Sequence, residues 1–148
     1  MMRDIPVRRP LTVLVLLAAC LPVLLTGCAA PELDLNALFP AEVGNFTRTA
    51  GPGIDEETGV DVAVYEAAEG TVTLRVRQVA TEQVERALAT LPPSATDVGP
   101  DPGLGQRDGV FFTFASQFHA AWANGDWVFV LSADTDLARR AFLASYSY

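Results

Sequence analysis

Two stretches of strict alternation constrain this fold more than any other feature: Val60-Asp61-Val62-Ala63-Val64-Tyr65 and Thr71-Val72-Thr73-Leu74-Arg75-Val76-Arg77. A period of two sends successive side chains to opposite faces of a strand. The first stretch gathers three valines on one face. In the second, Val72, Leu74 and Val76 point inward and Thr73, Arg75 and Arg77 outward. That is the pattern of an antiparallel sheet with one solvated face. Glu66 to Gly70 reads as the hairpin connection between the two, Val43 to Thr49 as a preceding strand, and residues 51–59 as turn material.

The period then changes. Thr81 is placed to cap a helix running to Leu91, with Val84, Ala87, Leu88 and Leu91 on one stripe and Pro92-Pro93 as the stop. Residues 92–109 hold four prolines and four glycines and read as one long loop; loops of that length in compact domains are usually functional or disordered. Strands resume at Val110–Ala115, Phe118–Ala123 and Trp127–Leu131, the last two joined by Asn124-Gly125, a strong two-residue turn signal. Ser132 or Asp134 can cap a final helix whose broad face carries Leu137, Ala138, Ala141, Phe142 and Ser145.

The fold class expected is α+β: a mostly antiparallel sheet of about six strands with two helices on one face. A shift of 54 residues lays Leu74 on Val128, Val76 on Val130 and Leu88 on Phe142, so a tandem βββα duplication is a possible origin.

The N-terminus carries an address. Met1 to Pro10 holds Arg3, Arg8 and Arg9, and Leu11 to Leu25 is apolar. That apolar run is shorter than the ~20 residues a membrane-spanning helix needs, and Pro22 interrupts it. Leu25-Thr26-Gly27-Cys28 follows: an aliphatic residue, two small residues and a cysteine. This arrangement resembles the lipobox of bacterial lipoprotein signal sequences. Leu17-Ala18-Ala19-Cys20 has the same pattern, but cleavage there would leave an apolar stretch at the new N-terminus. The resemblance covers residues 1–28 and implies cleavage between Gly27 and Cys28, lipid on the Cys28 thiol, and anchoring on the extracytoplasmic side of a bacterial membrane. Two or more acyl chains suffice for stable anchoring. Ala29, in place of Asp, leans by the same resemblance toward an outer membrane facing the periplasm if the host is Gram-negative. No family resemblance is recognised for the rest of the chain.

The chain therefore divides into a leader, residues 1–27; a lipidated cysteine and tether, residues 28–42; and a domain, residues 43–148. After the leader, 121 residues remain, with 7 Arg, no Lys and 17 Asp plus Glu. A net charge of −10 disfavours nucleic acid and anionic lipid headgroups, leaving the acyl chains as the membrane contact. With Cys20 removed and Cys28 lipidated, the domain has no disulfide, thiol nucleophile or thiolate metal site.

The side chains present point to a non-catalytic protein without metal or cofactor other than the covalent lipid. His119 is the one histidine, and neither HExxH nor a GxSxG elbow accompanies it. It reads as a histidine on a sheet face, beside Ala121 and opposite Ala120 and Trp122. Asp55-Glu56-Glu57 with Asp61 lacks the spacing of a calcium loop. Asp97, Asp101 and Asp108 read as turn residues; an acidic hydrolase built on them is the weakest alternative. The aromatic residues are more informative. Phe112, Trp122 and Trp127 are candidates for an apolar contact surface for a partner or a lipid-like ligand, with Trp122 and Trp127 as a cross-strand pair across the turn. The expected function is an envelope lipoprotein acting as a protein-interaction or accessory module. The alternative is a carrier or sensor of a small apolar ligand held between sheet and helices.

Overall fold

The computed structural model describes residues 34–100, 104, 105 and 107–148. The leader, Gly27, Cys28 and Asp101 lie outside the described residues. Residues Asp34–Tyr148 form one compact unit, so residues 34–42 of the expected tether belong to the fold. Helix α1 (Leu35–Leu38) is capped by Asp34, whose carboxylate accepts from the Asn36 N–H at 2.9 Å. It buries Leu38 and Phe39, and the Tyr146 hydroxyl donates to the Leu38 carbonyl at 2.6 Å.

Eight strands follow: β1 (Glu42–Val43), β2 (Phe46–Ile54), β3 (Asp61–Ala67), β4 (Gly70–Gln78), β5 (Thr96–Pro100), β6 (Gly109–Phe114), β7 (Gln117–Asn124) and β8 (Trp127–Ala133). They form one antiparallel sheet in the order β1-β2-β3-β4-β8-β7-β6-β5. A 3₁₀ turn at Thr81–Gln83 leads into α2 (Val84–Ala89), and α3 (Asp136–Ser145) closes the chain. No helix among the described residues is long and apolar enough to cross a membrane.

The α+β reading and the antiparallel sheet hold; the strand number is eight, against about six expected. The two extra strands are β1 and β5. Strand β5 lies inside the stretch 92–109 expected to be loop, where Thr96 to Pro100 pairs with β6 despite its Gly and Pro content. It is an edge strand, where proline is tolerated.

Alternation sorts the sheet into two faces. One carries Ala63, Tyr65, Val72, Leu74, Val76, Phe129, Leu131 and Trp122, all buried. Helix α3 packs here: the Phe142 ring meets Tyr65 at 5.0 Å and Phe46 at 5.4 Å, both edge-on. Burying one such Phe contributes about 1.5–3 kcal/mol. Val72, Leu74 and Val76 point inward as alternation predicts, whereas Val62 and Val64 lie half-buried on the opposite face, because Ala63 and Tyr65 take the core side.

Helix α2 lies on that opposite face, its Ala87 and Leu88 over Ala121, Val130 and Ser132. The helices therefore flank the sheet rather than share a face. The two halves are therefore not related by a two-fold rotation in the present fold. The strand order is palindromic about an antiparallel β4–β8 pair, so a rotation relating the halves must run normal to the sheet. Such a rotation would leave both helices on one side.

Local details differ as well. Gln78 pairs with Asp126 across the sheet end, and the β7–β8 turn is Gly125-Asp126, one residue beyond the expected Asn124-Gly125. Gly125, at φ +62°, is the only one of the two with positive φ, which suits a II′ turn rather than I′. The shift pairs Trp122 with Phe129 and Asn124 with Trp127. Thr135 caps α3, its hydroxyl accepting from the Ala138 N–H at 3.0 Å; Asp134 instead accepts from the Thr71 N–H at 2.9 Å. The buried positions of α3 are Ala138, Arg139, Phe142 and Leu143, and Leu137 is exposed. Arg139 reaches Asp136 at 2.7 Å and lies 4.4 Å over the Phe111 ring. Thr81 makes no side-chain cap to the N-terminal turn.

Candidate functional site

The expected aromatic surface is not assembled. Trp122 is 0 % exposed, stacked on Phe129 at 5.1 Å, with its indole N–H donating to the Tyr148 carbonyl at 3.0 Å. Phe112 is 4 % exposed and lies on the opposite face of the sheet. Trp127 is half-buried against the core. Alternation separates Phe112 from Trp122, and the turn offset separates Trp122 from Trp127.

What the fold builds instead is a cleft of about 380 Å³ between α2 and the outer sheet face. Its floor is Phe112, Ala121 and Val130; its roof is Ala87, Leu88 and Leu91. The cleft exists because α2 is short and loosely seated: none of its residues is buried. Its stripe of Val84, Ala87 and Leu88 faces the sheet as the sequence predicts, but stands off it.

One end of the cleft is polar. Register sets Phe112, His119 and Ser132 in one row across β6, β7 and β8, and Ala121, Val130 and Arg75 in the next across β7, β8 and β4. His119, 7 % exposed, stacks on Phe112 at 4.8 Å, nearly parallel. Its Nδ1 lies 2.9 Å from the Ser132 hydroxyl and its Nε2 3.2 Å from the Phe114 carbonyl. Burial pushes the His119 pKa down, opposed by the Phe114 carbonyl and assisted by the nearby Arg75 charge. The ring is therefore neutral at pH 7 and must donate from Nε2, since a carbonyl can only accept. Nδ1 then accepts from Ser132, and the Ser132 oxygen accepts from Arg75 Nη1 at 3.4 Å. The polar chain runs Arg75 to Ser132 to His119 to the Phe114 carbonyl. Among the described residues Ser132 is the polar partner of the Arg75 guanidinium, so most of its five donors face the cleft or solvent rather than another protein group.

The Phe114 carbonyl is held by an uncommon turn. Ala115 and Ser116, linking β6 to β7, both have positive φ, +50° and +62°, as a I′ turn requires. Neither is Gly or Asn, and such positions cost of order 1–3 kcal/mol each and cluster at functional sites. Ala115 and Gln117 line the cleft mouth.

His119 lies on the Ala121 face, as alternation predicts, whereas alternation alone does not mark Arg75 and Ser132 as site residues. The signal available for Arg75 was its outward position in an alternating strand; its convergence with Ser132, 57 residues away, is a matter of register. The acidic run at 55–57 is a turn: Asp55 accepts from the Glu57 and Thr58 N–H groups at 3.0 and 3.1 Å. The Thr58 N–H is the main cause that lowers the Asp55 pKa. Among the described residues no three His, Cys, Asp or Glu side chains converge on a point.

No family model matches the chain, and no curated protein sequence does. Its structure is similar to the crystal structure of a GTP binding regulator from Thermotoga maritima, with a TM-score of 0.51 at 16 % identity, covering 77 % of this chain and 88 % of the other. At that identity the likeness is one of fold.

Proposed function

We propose that this protein is a bacterial envelope lipoprotein, anchored through Cys28, that holds a small apolar ligand in the cleft beneath α2. The lipobox-like Leu25-Thr26-Gly27-Cys28 supports the anchor. The observation that carries the binding reading is the cleft itself: an apolar space of about 380 Å³ under a helix with no buried residue. Ligand sites are commonly concave, mostly apolar and supplied with a few convergent polar groups. A dry cavity of about 150 Å³ already admits benzene, so this one has room for a ring or short acyl chain with a polar head.

The reading as a protein-interaction module loses its main surface with Trp122 in the core. The carrier or sensor reading needs no exposed tryptophan: of the three aromatics, Phe112 lines the cleft.

The test is extraction of the protein from its own membrane, followed by mass spectrometry of co-purified small molecules. The full chain is compared with Ala87→Phe, which fills the cleft from the roof. A small molecule retained by the parent and absent from the filled variant supports the proposal. Identical small-molecule content in both rejects the cleft as its site.

A further inference from the structure

The geometry points to the polar end of the cleft as a carboxylate-recognition site, with Arg75 as the anion-binding residue and the ligand a small monocarboxylate with an apolar body. This deepens the cleft reading above and rests on it.

Arg75 carries the argument. It stands half-buried on the outer face of β4, in a chain with 18 acidic residues and net charge −8. Yet its polar partner among the described residues is a hydroxyl, at 3.4 Å. Asp55 feels its charge, but as the smallest of the influences on that carboxyl, which is committed to its own turn. A guanidinium left with spare donors beside an apolar space suits an incoming planar anion, because its fork matches a carboxylate at both oxygens.

The neighbours set the charge of that anion. Neutral His119 adds none, and Ser132, committed to donating to Nδ1, offers its lone pairs to Arg75 and so orients the fork. The site therefore presents one positive charge. A carboxylate matches it; a phosphate monoester, at about −1.5 to −2, leaves an uncompensated charge near an acidic protein. Phe112, Val130 and Leu88 supply an apolar wall for the rest of the ligand. Ser132 and His119 are positioning residues for Arg75, not groups that contact a reacting atom.

Calorimetry with the full chain in lipid nanodiscs decides this, using matched sets: benzoate, 4-phenylbutyrate and octanoate, each against its alcohol, and phenyl phosphate as the dianionic comparison. At least one acid is expected to bind tenfold or more tighter than its alcohol and tighter than phenyl phosphate. Arg75→Gln, shown folded by circular dichroism, is expected to erase the preference while retaining alcohol binding. Arg75→Lys, which keeps charge without the fork, is expected to restore part of it. Acids and alcohols binding equally, both blocked by Ala87→Phe, would overturn carboxylate recognition and leave the cleft reading standing. Tighter binding of phenyl phosphate would also overturn it. No binding by any compound at millimolar concentration would overturn both.

Discussion

At the scale of single residues, the sheet treats its two faces differently. Trp122 sits in a ring cluster with Phe129 and Tyr146, where nothing can collapse into its volume. Trp122→Ala should cost about 3–5 kcal/mol, read as a lower urea midpoint at unchanged slope. On the other face, Ser132→Ala removes one hydroxyl and strands His119 Nδ1 without its donor. An unsatisfied buried acceptor costs about 1–3 kcal/mol. His119 also makes stability depend on pH. Its folded pKa lies below 6.5 because burial disfavours the charged ring, so below 6.5 the unfolded chain binds more protons than the native one. Its contribution is fully present above 6.5 and declines as pH falls toward the folded value. Urea midpoints measured from pH 7.5 to 5 should fall more for the parent than for His119→Phe.

At the scale of elements, propensity and tertiary demand disagree at the β6–β7 turn. Ala115 and Ser116 occupy left-handed positions that Asn and Gly adopt with little strain. The double change Ala115→Asn with Ser116→Gly should stabilise the protein by about 1–2 kcal/mol, seen in thermal and urea unfolding. If the strained turn serves the cleft by aiming the Phe114 carbonyl at His119, the relaxed turn should also weaken carboxylate binding. Helix α2 shows the opposite case: a correct apolar stripe with too few turns to bury it. Segments with few buried contacts open most easily. Its amides should exchange faster with deuterium than those of α3, and slow when a ligand occupies the cleft.

At the scale of the whole molecule, one sheet serves two layers of different character. The α3 layer is a packed core, closed by α1 and by the Tyr146 hydroxyl on Leu38. Burial, helped by the neighbouring Tyr65 and Tyr148 and opposed by Arg107, pushes the Tyr146 hydroxyl pKa upward, so it stays protonated as a donor; Tyr65, pushed up to about 12 by burial, does the same for the Pro40 carbonyl. The α2 layer is thin and leaves a cleft. The anchor is separable from both. Cys28→Ser should move the protein from the membrane to the soluble fraction and remove the acyl mass, with the unfolding midpoint of the domain unchanged.

Local period and composition were enough to set part of this architecture. Alternation made Val72, Leu74 and Val76 an inward row and paired their strand into an antiparallel sheet. A change of period announced α2 and α3. The same alternation placed His119 opposite Trp122. Tertiary structure decided everything that depends on register and on which face is covered. Moving the turn one residue along, to Gly125-Asp126, shifts the pairing by two residues, so Trp122 meets Phe129 in place of Trp127 on the same face. The choice of Ala63 and Tyr65 as the core side turned the valines of β3 outward. The second helix could find its sheet only on the face that α3 left open. For the same reason Arg75, Ser132 and His119, unremarkable at their separate places along the chain, meet only because three strands bring them into neighbouring rows.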